Sequence, residues 1–379
     1  MKKDITELKI GILGGGQLGR MLLQSAIDFN LQVHMIDPDP NAPCSGLASS
    51  FQVGDLMNYE AVLNFGQSLD VVSIEIEAVN TDALKVLRDQ GVKVFPQPEI
   101  IEMIQDKRKQ KTFYKANRIP TADFILTESK EDVAKNVNFL PAVNKLGKGG
   151  YDGRGVEILR SEVDLHKAFD KPSLMEKLVD FKKELSVIVA RNESGEVKCF
   201  PLVELVFHPT ANLVEFLFAP AEVSKEVEQK AYELAVDLVK KLDMVGLLAV
   251  EMFLTQDDEI LVNEIAPRTH NSGHHTIEAN ITSQFEQHLR AILDMPLGAT
   301  DLVKPAAMLN VLGEEGFTGD AKYEGLSELM GIPGVHLHLY GKKITKPFRK
   351  MGHITITDEN TLTLKEKILR VKEILKVKA

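Results

Sequence analysis

The stretch that decides the fold is Lys9-Ile-Gly-Ile-Leu-Gly14-Gly15-Gly16-Gln17-Leu-Gly19, an apolar run followed by a glycine-rich turn. Such a run predicts a buried strand, and the pattern after Gln17 predicts a helix over residues 17–29. Further strand patterns at 33–36, 71–76 and 92–95 alternate with helical ones, including one at 81–90. This alternation is typical of a parallel sheet covered on both faces, so we predict an α/β chain that begins with a doubly wound domain.

The glycine turn itself allows three interpretations. Its position between strand and helix, with Asp37 ending the next strand, fits a dinucleotide fingerprint in which the backbone approaches a phosphate at a helix N-terminus. Another phosphorylated or small ligand can use the same turn. A tight turn that binds nothing is the third interpretation, and the motif alone does not choose among them.

Breaks in the pattern indicate the organisation of the remaining chain. Pro96-Gln-Pro98 marks a boundary, and a charged helix is expected over residues 99–117. Ser224 is placed to cap a long helix that reaches residue 242. A strand pair at 246–254 and 259–265 follows, and a smaller unit begins after about residue 298. We therefore predict domains at residues 1–98, 99–298 and 299–379.

Bulk composition excludes some classes of function. A formal net charge of −10 over 379 residues argues against a general nucleic-acid binder, which needs a basic face. The first seven residues lack the apolar stretch of a signal peptide, and no apolar run approaches a membrane span. Cys44 and Cys199 are far apart and lack a metal-type spacing, so we expect a reduced, cytoplasmic setting.

A second glycine-rich stretch, Lys145-Leu-Gly-Lys148-Gly-Gly-Tyr-Asp-Gly-Arg154-Gly155, combines a mobile backbone with three cationic side chains. Its N–H groups can close on phosphate oxygens. The stretch does not match the P-loop pattern, and its position between predicted strands favours a hinged flap over nucleotide phosphates. The alternative is a flexible surface hairpin whose charges are solvated.

Two carboxylates in the later strand pair indicate a metal site. A two-residue turn at Asp257-Asp258 would place Glu251 opposite Glu264 on one face of the hairpin. Like charges directly opposite each other are destabilising, and both lie in otherwise apolar strands. Magnesium coordination removes both problems and leaves positions for phosphates. A bulge that shifts the register and leaves one carboxylate solvated or paired with Arg268 is the alternative.

A dense set of hydrogen-bond donors, Arg268-Thr-His270-Asn271-Ser-Gly-His-His, follows immediately. Donors beside a metal-binding strand suit an anionic intermediate. Zinc is not favoured by the spacing of the histidines. A solvated polar loop is the alternative interpretation.

Together these motifs resemble the ATP-grasp superfamily and, within it, the family of 5-(carboxyamino)imidazole ribonucleotide synthases. The resemblance spans nearly the whole chain. It includes Gly-Gly-Gly-Gln-Leu-Gly-Arg-Met at 14–21, Glu-Ile-Glu at 75–77, Gly-Gly-Tyr-Asp-Gly-Arg-Gly at 149–155, Asn-Glu-Ile-Ala-Pro-Arg-Thr-His-Asn-Ser-Gly-His at 263–274, Tyr-Gly-Lys at 340–342 and Arg-Lys-Met-Gly-His at 349–353.

The resemblance implies a doubly wound N-terminal domain, a central ATP-grasp domain with a lid at residues 120–185, and a small C-terminal domain. It implies an ATP-dependent reaction that joins bicarbonate to the amine of 5-aminoimidazole ribonucleotide through carboxyphosphate, in purine biosynthesis. A cytoplasmic homodimer and a transient contact with the downstream mutase are also expected, with no nucleic acid or membrane partner.

Carried over to this chain, the resemblance assigns residues to four groups. The ATP contacts would be Lys107, Arg108, Lys145, Gly150, Tyr151, Asp152, Gly153, Arg154, Gly155, Glu176, Lys177, Leu178, Val179, Glu184, Asn263 and Glu264. The ribonucleotide contacts would be Gly16, Gln17, Leu18, Glu75, Tyr151, Lys342, Arg349 and Lys350. Magnesium would be held by Glu251 and Glu264, and the catalytic residues would be Asp152, Arg268, His270 and Asn271.

The chain departs from the family pattern in two places. Ala78 stands where relatives often have asparagine, with Asn80 displaced, and Phe207 precedes His208 where relatives place a histidine. Three rival functions remain open at this point: a formate-dependent glycinamide ribonucleotide transformylase, an NAD-dependent oxidoreductase and a non-catalytic binding module.

Overall fold

The fold begins with a five-stranded parallel sheet. A computed structural model describes residues 4–150, 155–208 and 213–379. The strands are β1 (Lys9–Leu13), β2 (Gln32–Asp37), β3 (Ser50–Val53), β4 (Val71–Ile74) and β5 (Lys93–Val94), in the order β3-β2-β1-β4-β5. The helices between them are α1 (Gln17–Asp28), α2 (Tyr59–Gly66) and α3 (Thr81–Asp89). The predicted doubly wound domain is confirmed, although β3 and α2 were not foreseen.

Two short helices, α4 (Pro98–Ile104) and α5 (Lys107–Ala116), connect this domain to the next part of the chain. The prediction of one continuous helix over 99–117 is wrong. Asp106 interrupts it, because its carboxylate accepts the backbone N–H of Arg108 and begins α5 as a capping residue. This new start places Lys107 at the first position of α5.

A separate four-stranded antiparallel sheet, here called the lid sheet, follows. Its strands are β6 (Phe124–Thr127), β7 (Ala142–Leu146), β8 (Val156–Leu159) and β9 (Ser173–Lys177), in the order β6-β9-β7-β8, with α6 (Lys130–Lys135) between β6 and β7. The second glycine stretch lies between β7 and β8. Tyr151, Asp152, Gly153 and Arg154 lie outside the described residues.

The largest sheet crosses the predicted boundary at residue 298. It contains β10 (Phe181–Arg191), β11 (Val197–Cys199), β12 (Val203–Phe207), β13 (Val214–Ala219), β14 (Gly246–Thr255), β15 (Ile260–Ala266), β16 (Ala306–Leu312), β19 (Val335–Leu339) and β21 (Lys350–Thr357). Its order is β15-β14-β10-β12-β13-β16-β21-β19, with β11 on β10. Three strands of the predicted C-terminal domain thus continue the central sheet.

The remaining elements cover this sheet or the C-terminal end. They are α7 (Lys225–Lys241), α8 (Thr276–Ala279), α9 (Gln284–Ile292), β17 (Gly319–Asp320), β18 (Lys322–Glu324), α10 (Leu326–Leu329), β20 (Ile344–Thr345), α11 (Thr361–Ile374) and β22 (Lys376–Lys378). Val227, Ala231 and Leu238 of α7 are buried in a core that also contains residues of β10 and β14. In the part of the chain that the structure describes, no helix has the length and apolarity needed to span a bilayer.

The predicted pairing of Glu251 with Glu264 in the β14–β15 hairpin is correct, but part of the reasoning behind it is wrong. The hairpin loop has three residues rather than two, since Thr255 and Glu259 are hydrogen-bonded across it. That loop shifts the pairing by one residue, so that Met252 lies opposite Val262. A bulge at Asn263 then restores the predicted pairing of Glu251 with Glu264. The alternative of a bulge that separates the two carboxylates is therefore wrong.

The cap of α7 provides a test of this local structure. Ser224 accepts the backbone N–H of Val227, so Ser224→Ala should cost about 1 kcal/mol locally. Hydrogen–deuterium exchange in the first turn of α7 should then accelerate about fivefold.

Ser161→Ala is the matched control. Ser161 precedes a short 3-10 helix and makes no side-chain capping bond there, so exchange over residues 162–165 should not change. Equal exchange in wild type and Ser224→Ala would contradict the capping role.

Candidate active site

The first glycine turn has its backbone donors occupied by carboxylates of the protein itself. Asp37 accepts the N–H of Gly15 at 2.8 Å. Glu75 accepts the N–H of Gly16 with one oxygen and that of Leu18, at 2.8 Å, with the other. A dinucleotide pyrophosphate would need these N–H groups. The arrangement therefore disfavours the NAD interpretation and shows that the side chain of Glu75 holds the turn together.

One residue of the predicted ribonucleotide set connects this turn to the C-terminal end of the chain. Lys342 Nζ donates to Gln17 Oε1 and to the backbone oxygen of Lys350, both at 2.7 Å. Arg349 donates to the backbone oxygen of Ile344 at 2.6 Å. The structure therefore brings Gln17, Lys342 and Lys350 together, and their contacts with a ribonucleotide stay a prediction.

The two opposed carboxylates lie in very different electrostatic surroundings. Lys107 Nζ is 2.5 Å from Glu264 Oε2, and this lysine holds the pKa of Glu264 well below its ordinary value. Burial, followed by the charge of Glu264, raises the pKa of Glu251. The side chain of Glu264 remains 45% exposed, whereas that of Glu251 is 14% exposed. The pair thus carries a carboxylate that a ligand can reach beside one that is costly to ionise.

This donor set fits a magnesium ion. Burial makes ionisation of Glu251 unfavourable, and a divalent cation beside it would offset that cost. Its neighbour Glu264 already contacts one cation, Lys107. Among the described residues, no group of three or more His, Cys, Asp or Glu side chains is arranged to hold a metal. Two carboxylates with open positions for phosphate oxygens are the arrangement magnesium commonly uses in nucleotide sites.

Lys145 enters the same region from β7 of the lid sheet. Its Nζ is 3.0 Å from Glu176 Oε2 and 3.1 Å from Asn263 Oδ1. The bulge at Asn263 turns this side chain toward the lid, next to Glu264. Lys107 donates its backbone N–H to Gly147, which places the start of the glycine stretch beside α5.

Sequence reasoning missed Lys111. This lysine is 1% exposed, and its Nζ lies 3.2 Å from Glu176 Oε2 and also bonds to Thr121. Burial lowers the pKa of Lys111 to about 8. Its position four residues after Lys107 on one helix face was the available signal. Glu176, predicted to lie near adenine, is therefore held between Lys111 and Lys145.

Other predicted ATP contacts among the described residues have partners or surroundings of their own. Lys177 donates to the backbone oxygen of Phe139 at 2.9 Å, and Arg108 pairs with Glu128. Burial raises the pKa of Glu184, on β10, to about 7. The described ends of the glycine stretch meet: Leu146 donates to the backbone oxygen of Gly155 at 2.9 Å, and Gly155 lies against Gly150.

The predicted catalytic residues after β15 are held by specific partners. Arg268 contacts Glu77, with Nε 2.9 Å from Oε1 and Nη2 3.2 Å from Oε2. Burial lowers the pKa of His270 to about 3, so its imidazole is neutral, and its Nε2 is 3.7 Å from Glu251. Asn271 exchanges two amide hydrogen bonds of 2.9 Å with Asn310 on β16.

One of the two departures from the family pattern has a local explanation. Asn80 accepts the N–H of Ala83 and so caps α3, while its amide donates to the backbone oxygen of Met57. Its side chain therefore stabilises the N-terminal domain. The ring centroid of His208 lies 5.5 Å from that of Phe348, edge to face.

Three domain families match consecutive parts of the chain. The ribonucleotide synthetase preATP-grasp domain matches residues 8–105, the ATP-grasp domain matches residues 112–285, and the phosphoribosylaminoimidazole carboxylase C-terminal domain matches residues 306–367. The N5-carboxyaminoimidazole ribonucleotide synthase of Bacillus subtilis is 40% identical over 353 residues, covering 91% of this chain and 90% of its own length. This chain belongs to the N5-carboxyaminoimidazole ribonucleotide synthase family.

Solved members of the synthase family have the same fold. The synthetase from Thermotoga maritima has a TM-score of 0.91 and 43% identity, over 98% of this chain and 99% of its own. The Aspergillus clavatus synthase, in complex with ADP and 5-aminoimidazole ribonucleotide, has a TM-score of 0.89 and 36% identity, over 98% and 99% of the two chains. The chain spans about two thirds of the longer plant and yeast phosphoribosylaminoimidazole carboxylases it also matches.

Glu251→Gln tests the electrostatics of this synthase-family site. In the metal-free protein, removing one of two opposed carboxylates should stabilise the fold by about 1 kcal/mol. Because the folded-state pKa of Glu251 lies above its ordinary 4.5, its ionisation weakens the fold as pH rises. Unfolding midpoints with a chelator should therefore show a larger gain at about pH 9 than at about pH 5.

Glu204→Gln is the control, since Glu204 has its own partner, Lys183, at 2.5 Å. It should give no gain at either pH. A Glu251→Gln protein that is less stable than wild type at high pH would show that the two carboxylates do not repel each other.

Proposed function

We propose that this chain carboxylates 5-aminoimidazole ribonucleotide with bicarbonate, cleaving ATP to ADP and phosphate. The observation that carries the proposal is the meeting of Glu251 and Glu264 beside Lys107 and Lys145, with the donors Arg268 and His270 adjoining them. The ligands of the Aspergillus clavatus relative, ADP and 5-aminoimidazole ribonucleotide, support an adenine nucleotide and this ribonucleotide as ligands here.

We assign the binding of the ATP phosphates to Lys107 and Lys145. Lys145 is held between Glu176 and Asn263, which directs its ammonium group toward the carboxylate pair. Lys107 contacts Glu264 directly. Cations fixed around a triphosphate stabilise the charge that moves onto the leaving ADP. A magnesium ion held by Glu251 and Glu264 would neutralise further phosphate charge.

The bonds change in two steps. An oxygen of bicarbonate attacks the γ-phosphorus, and the bond from that phosphorus to ADP breaks, which gives carboxyphosphate. The amine of the ribonucleotide then attacks the carboxyl carbon, and phosphate leaves with the bridging oxygen. Arg268, neutral His270 and Asn271 would hold the anionic oxygens, and Asp152 would accept the proton that the amine loses.

Several finer assignments rest on the family resemblance. The domain limits 1–98, 99–298 and 299–379, the lid at 120–185, the cytoplasmic homodimer and the contact with a downstream mutase stay predictions. The remaining ATP contacts, the ribonucleotide contacts and the role of Asp152 also stay predictions.

An omission assay tests the reaction. Phosphate release with ATP, magnesium, bicarbonate and 5-aminoimidazole ribonucleotide should fall to background without ATP or bicarbonate, and should fall strongly without the ribonucleotide. With ¹⁸O-labelled bicarbonate, one labelled oxygen should appear in the released phosphate, because the attacking oxygen stays on phosphorus.

Two results would contradict the proposal. Release that requires formate and glycinamide ribonucleotide would identify a transformylase, and phosphate without label would exclude carboxyphosphate. Glu264→Gln serves as the negative control: it should lower turnover at least about 100-fold while the unfolding midpoint stays near that of wild type.

Lys342→Ala tests the ribonucleotide site. Because Lys342 joins Gln17 to β21, its loss should raise the half-saturating concentration of 5-aminoimidazole ribonucleotide about tenfold and change that of ATP little. Lys343→Ala is the matched control, since Lys343 contacts Asn41 at the surface. Equal effects of the two variants, or a larger effect on ATP than on the ribonucleotide, would remove Lys342 from this site.

A further inference from the structure

The contact between Arg268 and Glu77 joins two separate parts of the fold. Glu77 follows β4 of the N-terminal sheet, and Arg268 follows β15 of the central sheet. Both side chains are largely buried, at 23% and 18% exposed. The contact therefore excludes much of the water that would otherwise weaken it.

The backbone around Glu77 is itself held in place. Its carbonyl oxygen accepts the side-chain amide of Gln105 at 2.7 Å, and the same amide bonds to the carbonyl of Val79 at 2.8 Å. Gln105 follows α4, which leads into the ATP-grasp part of the chain. Glu77 is thus a fixed support rather than a freely rotating surface carboxylate.

The contacts of Arg268 determine which of its donors remain for a ligand. Nη2 donates to Glu77 Oε2 at 3.2 Å and Nη1 donates to the backbone oxygen of Thr269 at 3.0 Å, while Nε lies 2.9 Å from Glu77 Oε1 as an ion-pair contact that is not a hydrogen bond. A guanidinium group has five N–H donors, two of them on each terminal nitrogen. Within the described residues, these contacts leave one N–H on Nη1 and one on Nη2. Two parallel N–H groups form the fork that suits a carboxylate or phosphate oxygen pair.

That remaining fork lies near the predicted reaction centre. Arg268 precedes His270 by two residues and donates to the backbone oxygen of Thr269 between them, and His270 Nε2 lies 3.7 Å from Glu251 Oε1. The guanidinium group is therefore close to the imidazole that neighbours the carboxylate pair. A rotation of Arg268 would turn its free donors away from that region.

We propose that Glu77 is a positioning residue for the reaction: it fixes the orientation of Arg268 so that two N–H groups face the bicarbonate-derived carboxyl group. This inference rests on the proposed function, which assigns Arg268 to that group. Glu77 also balances the charge of Arg268, so the guanidinium group contributes directed hydrogen bonds more than net charge.

The competing explanation is that Glu77 only clamps two domains together. The chain offers a matched control for this explanation, because Lys93 and Glu193 form another ion pair between the same two parts of the fold. Their side chains are 46% and 43% exposed. Glu193→Gln removes an inter-domain ion pair and leaves Arg268 untouched.

The experiment compares Glu77→Gln with Glu193→Gln in the full-length protein, in CO₂-free buffer with bicarbonate, ATP and ribonucleotide varied in turn. Glu77→Gln should raise the half-saturating bicarbonate concentration about tenfold and change that of ATP less than twofold, because a donor displaced by about 1 Å loses its alignment. Glu193→Gln should match wild type. Equal rises for ATP and bicarbonate in Glu77→Gln would overturn the positioning role.

A double-variant cycle tests whether Glu77 affects bicarbonate saturation through Arg268 or independently of it. In an Arg268→Lys background the fork is already lost, so adding Glu77→Gln should change bicarbonate saturation less than twofold. A further tenfold loss in the double variant would overturn the inference.

Two further measurements keep the test decisive. If Glu77→Gln folds poorly, Glu77→Asp keeps the charge but shortens the support, and it should show a smaller rise confined to bicarbonate. Wild-type activity distinguishes failure of the reaction from failure of the inference. Wild type without bicarbonate-dependent phosphate release would overturn both, whereas an active wild type with an unchanged Glu77→Gln would overturn only the inference.

Discussion

Repulsion between Glu251 and Glu264 is the constraint around which the cleft is built. Two carboxylates face one another on strands that are otherwise apolar. Such a pair is unfavourable unless cations approach it. Lys107 approaches from α5 and Lys145 approaches from the lid sheet. The fold therefore holds two like charges close together, and the two lysines offset only part of their repulsion until a ligand binds.

The cleft is assembled from all three parts of the chain through side chains that cross between them. Arg268 reaches Glu77 in the N-terminal domain, and Lys342 reaches Gln17 from the C-terminal end. Asn271 and Asn310 exchange amide bonds between the central and C-terminal parts. No single part contains a complete set of these groups among the described residues, so the cleft is complete only when all three parts pack together.

Local patterns were enough to predict the doubly wound domain, most central strands and the cap of α7. The facing carboxylates were also predicted, although an unforeseen loop length and an unforeseen bulge at Asn263 cancelled each other. Long-range contacts were beyond such reasoning. Glu77 and Asn310 have no local signature of function, because each acquires its role only from a partner distant in sequence.

The continuity of the largest sheet limits how this molecule can move during turnover. Hydrogen-bonded strands connect the carboxylate pair on β14 and β15 to Lys350 on β21, so their separation is set by one rigid frame. Among the described residues, the lid sheet shares no strand with that frame and joins it through two short segments, one between Ala116 and Phe124 and one between Lys177 and Phe181. Any movement of the lid sheet against the frame is therefore confined to these two segments, while Glu251, Glu264 and Lys350 stay in register.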